Sequence, residues 1–251
     1  LALRQLPCFH IVYADGAGNI FYLYNAKVGK KFDVAPAQGA QFAAYSAVTP
    51  WDQPLSALDS NSQWGALVPI GDLPTLTNPD SGYIQACATT PWMATEKSGA
   101  GPGDWPLWFA RDADSYRAKR VRQLLVQDPR SFTDHQSMLY DLVAPFAVVA
   151  VPYLLELSET HSEFMAASHP DLEVAFDMLR DWNYLAEPKS TAMTYFHMWW
   201  SAFRSTGHAT MHSEAALYDL LRENSPDIQQ HALRAANRAV MRLKNDFQTL
   251  N

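Results

Sequence analysis

The sequence has 251 residues, of which 48% are hydrophobic and 18% charged, and its formal net charge is −7. This composition excludes a disordered chain, a collagen-like chain and a coiled coil, and the length allows one large domain or two smaller ones. The negative charge argues against binding to nucleic acid or to an anionic membrane. The two cysteines, Cys8 and Cys87, are too few for a disulfide framework, and neither has metal-ligand spacing.

No segment has the character of a membrane span or of a signal peptide. The longest apolar run, Leu142–Leu155, contains two prolines. A spanning helix needs roughly 20 residues, so we expect this run in the core. The N-terminus lacks the basic start, the long apolar stretch and the cleavage site of a signal peptide. Because the chain begins at Leu1 rather than at Met, we expect a processed product or a piece of a longer protein.

The beginning of the chain predicts a β-hairpin. Phe9–Ala14 and Ile20–Asn25 are rich in β-forming residues, and the sequence DGAGN at 15–19 joins them. Its glycines supply the positive φ angles that tight turns require. Gly82–Cys87 predicts a further, buried strand.

A long surface loop is predicted between these strands, from Gly29 to Asp80, with Trp51 and Trp64 as its anchors. The sequence changes character near residue 104, where strand-like and glycine-rich segments give way to helical ones. We therefore predict a strand- and loop-rich part, residues 1–104, and a helical part, residues 105–251, within one domain.

The second half of the chain predicts helices, because apolar residues recur at helical spacing after N-cap residues. Strands followed by helices indicate an α+β fold, with strands mainly in residues 8–90 and helices mainly in 113–248. The first predicted helix is Asp114–Val126, and the second runs from an N-cap at Thr133 towards Leu157 with kinks near Pro145 and Pro152. Asp171–Trp182 follows, and then Met193–Ser205 with Ser190 or Thr191 as its cap. A short helix is predicted from Ser213 to Arg222, and Ser225 and Pro226 begin the last one.

Three patterns have a plain structural interpretation. His208 and His212 have the spacing of a zinc-protease helix, but the glutamate that such a helix carries after its first histidine is missing, so we interpret them as structural or exposed. The glycines at 16 and 18 precede a strand rather than a helix, which excludes a dinucleotide-binding loop. A helical aromatic stripe indicates core packing, with a ligand-facing wall as the alternative. Its members are Tyr195, Phe196, Trp199, Trp200 and Phe203.

A series of short motifs gives more specific information. They are YAD at 13–15, GNIFY at 18–22, NPDSGYI at 78–84, TTPW at 89–92, the arginine-bearing helix YRAKRVRQLL at 116–125, DW at 181–182, STAMT at 190–194 and WW at 199–200. Their order and spacing over most of residues 8–205 resemble those of the penicillin acylase (penicillin amidase) family. Each motif alone would be weak.

The resemblance implies an N-terminal-nucleophile (Ntn) hydrolase with an αββα sandwich. In such an enzyme a precursor cuts itself, and the new N-terminal serine attacks an amide carbonyl with its own α-amine as general base. The products are an acid and an amine, formed through an acyl-enzyme. Leu1 is not this nucleophile, so we expect the chain to be an interior portion of the large chain, with no intact catalytic residue.

The implied partners follow from the same resemblance. They are a small-molecule N-acyl amide substrate and the missing N-terminal segments or small chain of the precursor, in the periplasm or outside the cell. Because the strands at the start of the chain would then lack sheet neighbours, we expect exposed apolar surface there.

The resemblance also selects individual site residues. Ala88 occupies the position of the family's oxyanion asparagine, and its methyl group cannot donate a hydrogen bond. Thr89 or Thr90 is the alternative donor, although adjacent positions on a strand point to opposite faces. Arg117 matches an arginine near the active-site mouth, with a surface ion pair as its alternative role. Trp92 is a candidate wall for a hydrophobic acyl group. Further candidates for this wall are Trp105, Trp108 and Phe109.

Several departures from the family pattern support a second hypothesis. His10 stands where the family usually has asparagine, and Ala86 and Ala88 replace polar residues. The chain could therefore be a degenerate, non-catalytic homologue that acts as a binding or scaffolding domain. The resemblance implies calcium for some members; the proline carbonyl expected among its ligands is not recognisable, and Glu96 and Asp104 are the candidates considered.

Overall fold

A computed structural model describes residues 2–30, 64–101, 104–105, 109, 114–126, 131–205 and 214–248. The chain divides into two compact units, residues 1–128 and 129–251. Among the described residues, the first unit contains a sheet and one α-helix, and the second contains helices, which confirms the predicted α+β class. The described strands form one three-stranded sheet. The two stacked sheets of the sandwich and the division at residue 104 therefore remain predictions.

The described elements are numbered in chain order. The strands are β1 (Phe9–Ala14), β2 (Ile20–Asn25) and β3 (Thr75–Thr77). The helices are α1 (Tyr116–Leu125), α2 (Phe132–Met138), α3 (Ala147–Thr160), α4 (Ser162–Ala167), α5 (Asp171–Arg180), α6 (Thr191–Arg204), α7 (Glu214–Glu223) and α8 (Pro226–Phe247). Within the described ranges, no helix is both long enough and apolar enough to cross a bilayer.

The predicted hairpin is confirmed, because β1 and β2 pair in antiparallel fashion. The Asp15 carboxylate accepts hydrogen bonds from the backbone N–H groups of Ala17 and Asn19, each at 2.9 Å. Gly18 has a φ of 87°, a conformation that costs glycine little. The turn is therefore fixed by its own side chains, as its sequence predicts.

The predicted strand Gly82–Cys87 is wrong. The second neighbour of β2 is β3, and residues 82–87 are irregular. The N–H of Gly82 donates to the carbonyl of Pro79 within a turn, and the N–H of Cys87 donates to the side-chain Oε1 of Gln85 at 2.8 Å. Because these backbone groups find local partners, they do not enter a strand ladder.

Part of the predicted loop between Gly29 and Asp80, including Trp51, lies outside the described residues. Trp64 is 60% exposed, but its ring lies against Gly29. A Cβ atom added to Gly29 would lie only 2.9 Å from Cε3 of Trp64. The absence of a side chain at Gly29 therefore makes room for the ring of Trp64, and an anchoring role of Trp64 stays a prediction.

Asn78 links the hairpin turn to the end of β3. Its Oδ1 accepts a hydrogen bond from the N–H of Ile20 at 2.8 Å, and its Nδ2 donates to Oδ1 of Asn19 at 3.0 Å. The φ of Asn78 is 44°, in the left-handed region that asparagine adopts more readily than most residues.

We expect Asn78→Ala to lower the free energy of unfolding by about 1–2 kcal/mol, because two hydrogen bonds are lost and alanine is placed at a positive φ. Urea denaturation of the full-length protein measures the loss. Asn245→Ala, at an exposed position of α8, is the matched control and should change stability by less than about 0.5 kcal/mol. Equal losses for the two variants would contradict the proposed link.

The aromatic stripe of α6 packs against α8 in the core of the second unit, which confirms its interpretation as core. The Tyr195 hydroxyl donates to the carbonyl of Ala236 at 3.3 Å, and the Trp199 indole N–H donates to the carbonyl of Ala232 at 3.1 Å. All four residues are buried. Alanines on α8 let the large aromatic rings approach its backbone closely.

The predicted continuous helix from Thr133 is wrong. Two helices occupy this region, and the N-cap of α2 is Ser131 rather than Thr133. Before α3 begins, the N–H of Ala144 donates to the carbonyl of Tyr184 at 2.9 Å. Pro145 also disfavours a helical conformation of the preceding residue. The chain therefore leaves the helix and pairs with a distant segment before α3.

The other helix signals are confirmed where the structure describes them. Ser190 is the N-cap of α6, since its side chain accepts a hydrogen bond from the N–H of Met193 at 3.1 Å. Pro226 stands in the first turn of α8, as predicted. His208, His212 and Ser213 lie outside the described residues, so their interpretation stays a prediction.

Candidate active site

The predicted oxyanion position lies in a closed loop, residues 85–94, which we call the 85–94 loop. The N–H of Gln85 donates to the carbonyl of Ala94 at 2.7 Å and joins the two ends of the loop. The side-chain Nε2 of Gln85 donates to the carbonyl of Met93 at 2.6 Å. Gln85 is only 5% exposed, so these bonds form in a protected environment. One buried residue therefore closes the loop, with both its backbone and its side chain.

Ala88 is exposed at the bend of this loop, as is Ala86, and its φ is 55°. A left-handed backbone is costly for alanine and much less so for asparagine or glycine. Thr89 and Thr90, in contrast, are 4% and 2% exposed. Neither hydroxyl is presented to solvent, so neither is placed to replace a side-chain donor at position 88.

Arg117 lies against the same loop. It stands in the first turn of α1, whose N-cap Ser115 accepts a hydrogen bond from the N–H of Ala118 at 3.1 Å. Nη2 of Arg117 donates to the carbonyl of Cys87 at 3.0 Å. The structure thus brings Arg117 to the peptide unit that precedes Ala88. The sequence motifs had selected Arg117 and Ala88 separately.

Trp92 is part of the loop but is not joined to Arg117. It lies half-buried in a short 3₁₀ turn, Pro91–Met93, and its carbonyl accepts a hydrogen bond from Oγ of Ser98 at 3.0 Å. Among the described residues, no hydrogen bond or cation–π contact connects Trp92 with Arg117. A substrate-facing role for Trp92 stays a prediction.

The other aromatic candidates divide between core and undescribed residues. Phe109 is 3% exposed and belongs to a core cluster with Leu23 and Leu73, which favours the packing role. Trp105 lies partly buried against Phe109, with ring centroids 5.7 Å apart. Trp108 lies outside the described residues.

His10 is held within the hairpin rather than presented as a free base. Its Nδ1 lies 2.7 Å from the hydroxyl of Tyr22, and its ring lies 5.5 Å from that of Tyr24. Tyr22 is 1% exposed, and this burial raises its pKa well above the ordinary value. The Tyr22 hydroxyl therefore stays protonated at neutral pH and serves as a hydrogen-bonding partner of His10.

Cys87 has the electrostatics of a structural thiol. Burial raises the pKa of its thiol, and the nearby guanidinium groups of Arg117 and Arg122 oppose that shift without reversing it. The carboxylate of Asp114 acts in the same direction as burial. Because a thiolate is the nucleophilic form of cysteine, a raised pKa argues against Cys87 as a catalytic nucleophile.

An ion pair lies beside this thiol. Nη2 of Arg122 donates to Oδ2 of Asp114, and the two side chains are 15% and 17% exposed. The second atom of each group, Nη1 and Oδ1, is buried without a hydrogen-bond partner in the described part of the chain. Removing either residue would leave the other charge in a poorly solvated environment, so the pair is expected to be structurally sensitive.

The resemblance implies calcium for some family members, with Glu96 and Asp104 as candidate ligands, and both lie among the described residues. These residues contain no cluster of three histidine, cysteine, aspartate or glutamate side chains that could hold a metal ion. Asp104 accepts a hydrogen bond from the N–H of Gly101 at 2.7 Å, which orders its own loop.

Gln85 is the functional candidate that sequence reasoning missed. Its signal was a polar residue between Ile84 and Ala86 in a segment predicted as a buried strand. A buried amide must satisfy its hydrogen bonds within the protein, and such a requirement commonly marks a residue that shapes the backbone.

Within this chain, the site offers an ordered loop, a guanidinium on one of its carbonyls and an exposed position at its turn. The penicillin amidase family model matches residues 1–250 of the sequence.

The chain therefore belongs to the penicillin amidase family. This membership places it in the class of Ntn-type amidohydrolases, whose members hydrolyse amides.

Proposed function

We propose that this chain is part of an enzyme that cleaves a linear N-acyl amide bond through an acyl-enzyme, with the serine nucleophile supplied from outside its 251 residues. The observation that carries the proposal is the hydrogen bond from Arg117 to the carbonyl of Cys87, at 3.0 Å. It joins the arginine-bearing helix to a residue 30 positions earlier in the sequence, directly before the expected oxyanion position 88.

The proposed reaction has two halves. The serine hydroxyl attacks the amide carbonyl as its proton passes to the α-amine, and the carbonyl oxygen becomes an oxyanion. Collapse of this intermediate breaks the C–N bond and expels the amine, which takes up the proton. Water then hydrolyses the serine ester by the same route and releases the acid. In this reaction, the chain binds and orients the substrate and places residue 88 next to the oxyanion.

The proposed partners are the small N-acyl substrate and other segments of the same precursor. Within the described residues, β1 pairs on one side only, with β2. Phe9, Val12 and Tyr13 on this edge strand are 43%, 49% and 53% exposed, which is the apolar surface expected of a sheet that continues elsewhere. We place the mature protein in the periplasm or outside the cell, on the family resemblance alone.

The test is turnover by the full-length, processed protein. We expect release of the chromogenic amine from an N-acyl substrate, followed by its absorbance, at a rate well below that of an enzyme with a complete oxyanion hole, because Ala88 offers no side-chain donor. Mass spectrometry should show correct self-cleavage in the same sample. Correct processing without turnover of any member of an acyl-chain series would reject catalysis.

That outcome would favour the second candidate, a non-catalytic homologue that binds N-acyl compounds or scaffolds the precursor. The methyl group of Ala88 is the observation that favours it. Equilibrium dialysis with the same acyl series separates simple binding from an inert scaffold.

A further inference from the structure

We propose that Gln85 is a positioning residue of the oxyanion site, which holds the peptide unit between Cys87 and Ala88 in its required orientation. This inference rests on the proposed function. Gln85 does not touch the substrate in this scheme and acts through the backbone of the 85–94 loop.

The carboxamide of Gln85 contacts three points of the loop. Its Oε1 accepts the N–H of Cys87 at 2.8 Å, and its Nε2 donates to the carbonyl of Met93 at 2.6 Å. Nε2 also lies 3.4 Å from Oγ1 of Thr89, at the long limit of a hydrogen bond. Both halves of the amide are therefore used, and they connect the residues before and after Ala88.

Cys87 is consequently held on both sides of its backbone. Gln85 binds its N–H at 2.8 Å, and Arg117 binds its carbonyl at 3.0 Å. Fixing these two groups restricts both dihedral angles of Cys87 and the plane of the peptide bond that leads into Ala88. The direction of the side chain at position 88 follows from that plane, and Gln85 controls it from a buried position.

An apolar side chain of similar size cannot replace this amide. A leucine at position 85 would leave the N–H of Cys87 and the carbonyl of Met93 without their partners in a protected environment, which favours opening of the loop. A glutamate would keep the acceptor for Cys87, and burial would favour its neutral form, whose O–H group can still donate to the Met93 carbonyl in place of the amide. Gln85→Leu should therefore open the loop most and Gln85→Glu to a smaller extent.

The reactivity of the Cys87 thiol measures opening of the 85–94 loop independently of enzymatic activity. The thiol is half-buried, and burial raises its pKa, so opening of the loop increases both its accessibility and its thiolate fraction. In the full-length, processed protein, alkylation of Cys87 by iodoacetamide is followed by mass spectrometry of its peptide. We expect a rate increase of about tenfold or more for Gln85→Leu and a smaller one for Gln85→Glu.

Asn78→Ala is the matched control, because it removes two hydrogen bonds in the same unit at the hairpin and should leave the alkylation rate of Cys87 unchanged. If Gln85→Leu does not fold, the alkylation rate of Gln85→Glu is compared with that of Asn78→Ala instead. An alkylation rate that is unchanged in the Gln85 variants overturns the inference.

Kinetics then separate a catalytic consequence from a structural one. In the Ala88→Asn background, we expect Gln85→Leu to lower kcat for an N-acyl amide by about tenfold or more while KM changes little, because the new donor is misplaced only for the transition state. Asn78→Ala in that background should keep kcat. Equal kcat values with and without Gln85 overturn the positioning role.

Failure of the proposed function has a different signature. Absence of turnover in all variants, including the parent with confirmed processing, rejects the amide hydrolase and the catalytic role of Gln85 together. If the enzyme is active but its kcat does not change when Gln85 is replaced, only the positioning role of Gln85 is rejected and the amide hydrolase stands.

Discussion

Ala88→Asn in the full-length, processed protein is expected to raise kcat for an N-acyl amide by about 10²–10³-fold. Alanine has no side-chain hydrogen-bond donor, and one oxyanion donor is worth roughly 3–4 kcal/mol of transition-state stabilisation. The exposed turn of the 85–94 loop leaves room for the asparagine side chain. The kcat and KM of parent and variant are measured with a chromogenic substrate, and the gain should lie in kcat.

The backbone supports the same substitution. Ala88 has a φ of 55°, and asparagine adopts this left-handed region at lower cost than alanine. We therefore expect the variant to be at least as stable as the parent, with a gain in unfolding free energy of up to about 1 kcal/mol. Catalysis and stability would then rise together, which is unusual for a substitution at an active site.

Two control variants separate these effects. Ala88→Gly relieves the backbone without adding a donor, and Ala88→Asp has nearly the shape of asparagine but carries no N–H group. Neither should reproduce the gain in kcat. If Ala88→Asp matched Ala88→Asn, hydrogen-bond donation could not explain the effect, and the placement of the oxyanion site at position 88 would be wrong.

The hairpin could be predicted from the sequence because all of its determinants are local. Asp15, Gly18 and Asn19 make the turn with their own side chains and backbone conformations. The N-cap of α6 is predictable for the same reason, since Ser190 bonds to a backbone N–H three residues later. Hydrogen bonds of this kind can be predicted from the sequence, because both partners lie within a few residues of each other.

The sequence could not show that Gly82–Cys87 is irregular, because a β pattern does not reveal which other groups bind the backbone in place of a neighbouring strand. Its apolar residues are typical of a strand, but the side chain of Gln85 takes the N–H of Cys87, and the backbone N–H of Gln85 bonds to Ala94. Likewise, the helix predicted from Thr133 ends early because the 142–144 segment pairs with residues 184–186. Tertiary hydrogen bonds override local preference in both places.

The roles of Ala88 and Arg117 stay predictions, but the contact between Arg117 and the loop is an observation that the sequence did not predict. The motifs selected Ala88 and Arg117, and the structure shows that Arg117 contacts the carbonyl beside Ala88. A side-chain bond to a backbone carbonyl leaves no signature at the accepting residue, because every residue has a carbonyl. Gln85 was missed for a related reason, since its role depends on burial.

Trp199→Ala is expected to cost about 3–5 kcal/mol of unfolding free energy, the typical loss for a buried large aromatic residue. Trp199 is 0% exposed, its indole N–H bonds to the carbonyl of Ala232, and its ring lies 5.3 Å from that of Phe203. Alanine would leave a cavity between α6 and α8 that rigid helices cannot close. Hydrogen exchange of α6 and α8 amides in the full-length protein reports this loss locally.

Trp200→Ala is the matched control for this prediction, because the chain places a second tryptophan at the next position of the same helix. Trp200 is only partly buried, with its ring 4.2 Å from that of Phe146 and the guanidinium of Arg204 over its face. Its removal should cost clearly less, about 1–2 kcal/mol, since solvent already reaches one side. If Trp199→Ala does not fold, Trp199→Phe keeps the comparison with a smaller expected loss. Equal increases in exchange rate for the two alanine variants would show that the α6–α8 interface does not depend on the buried ring.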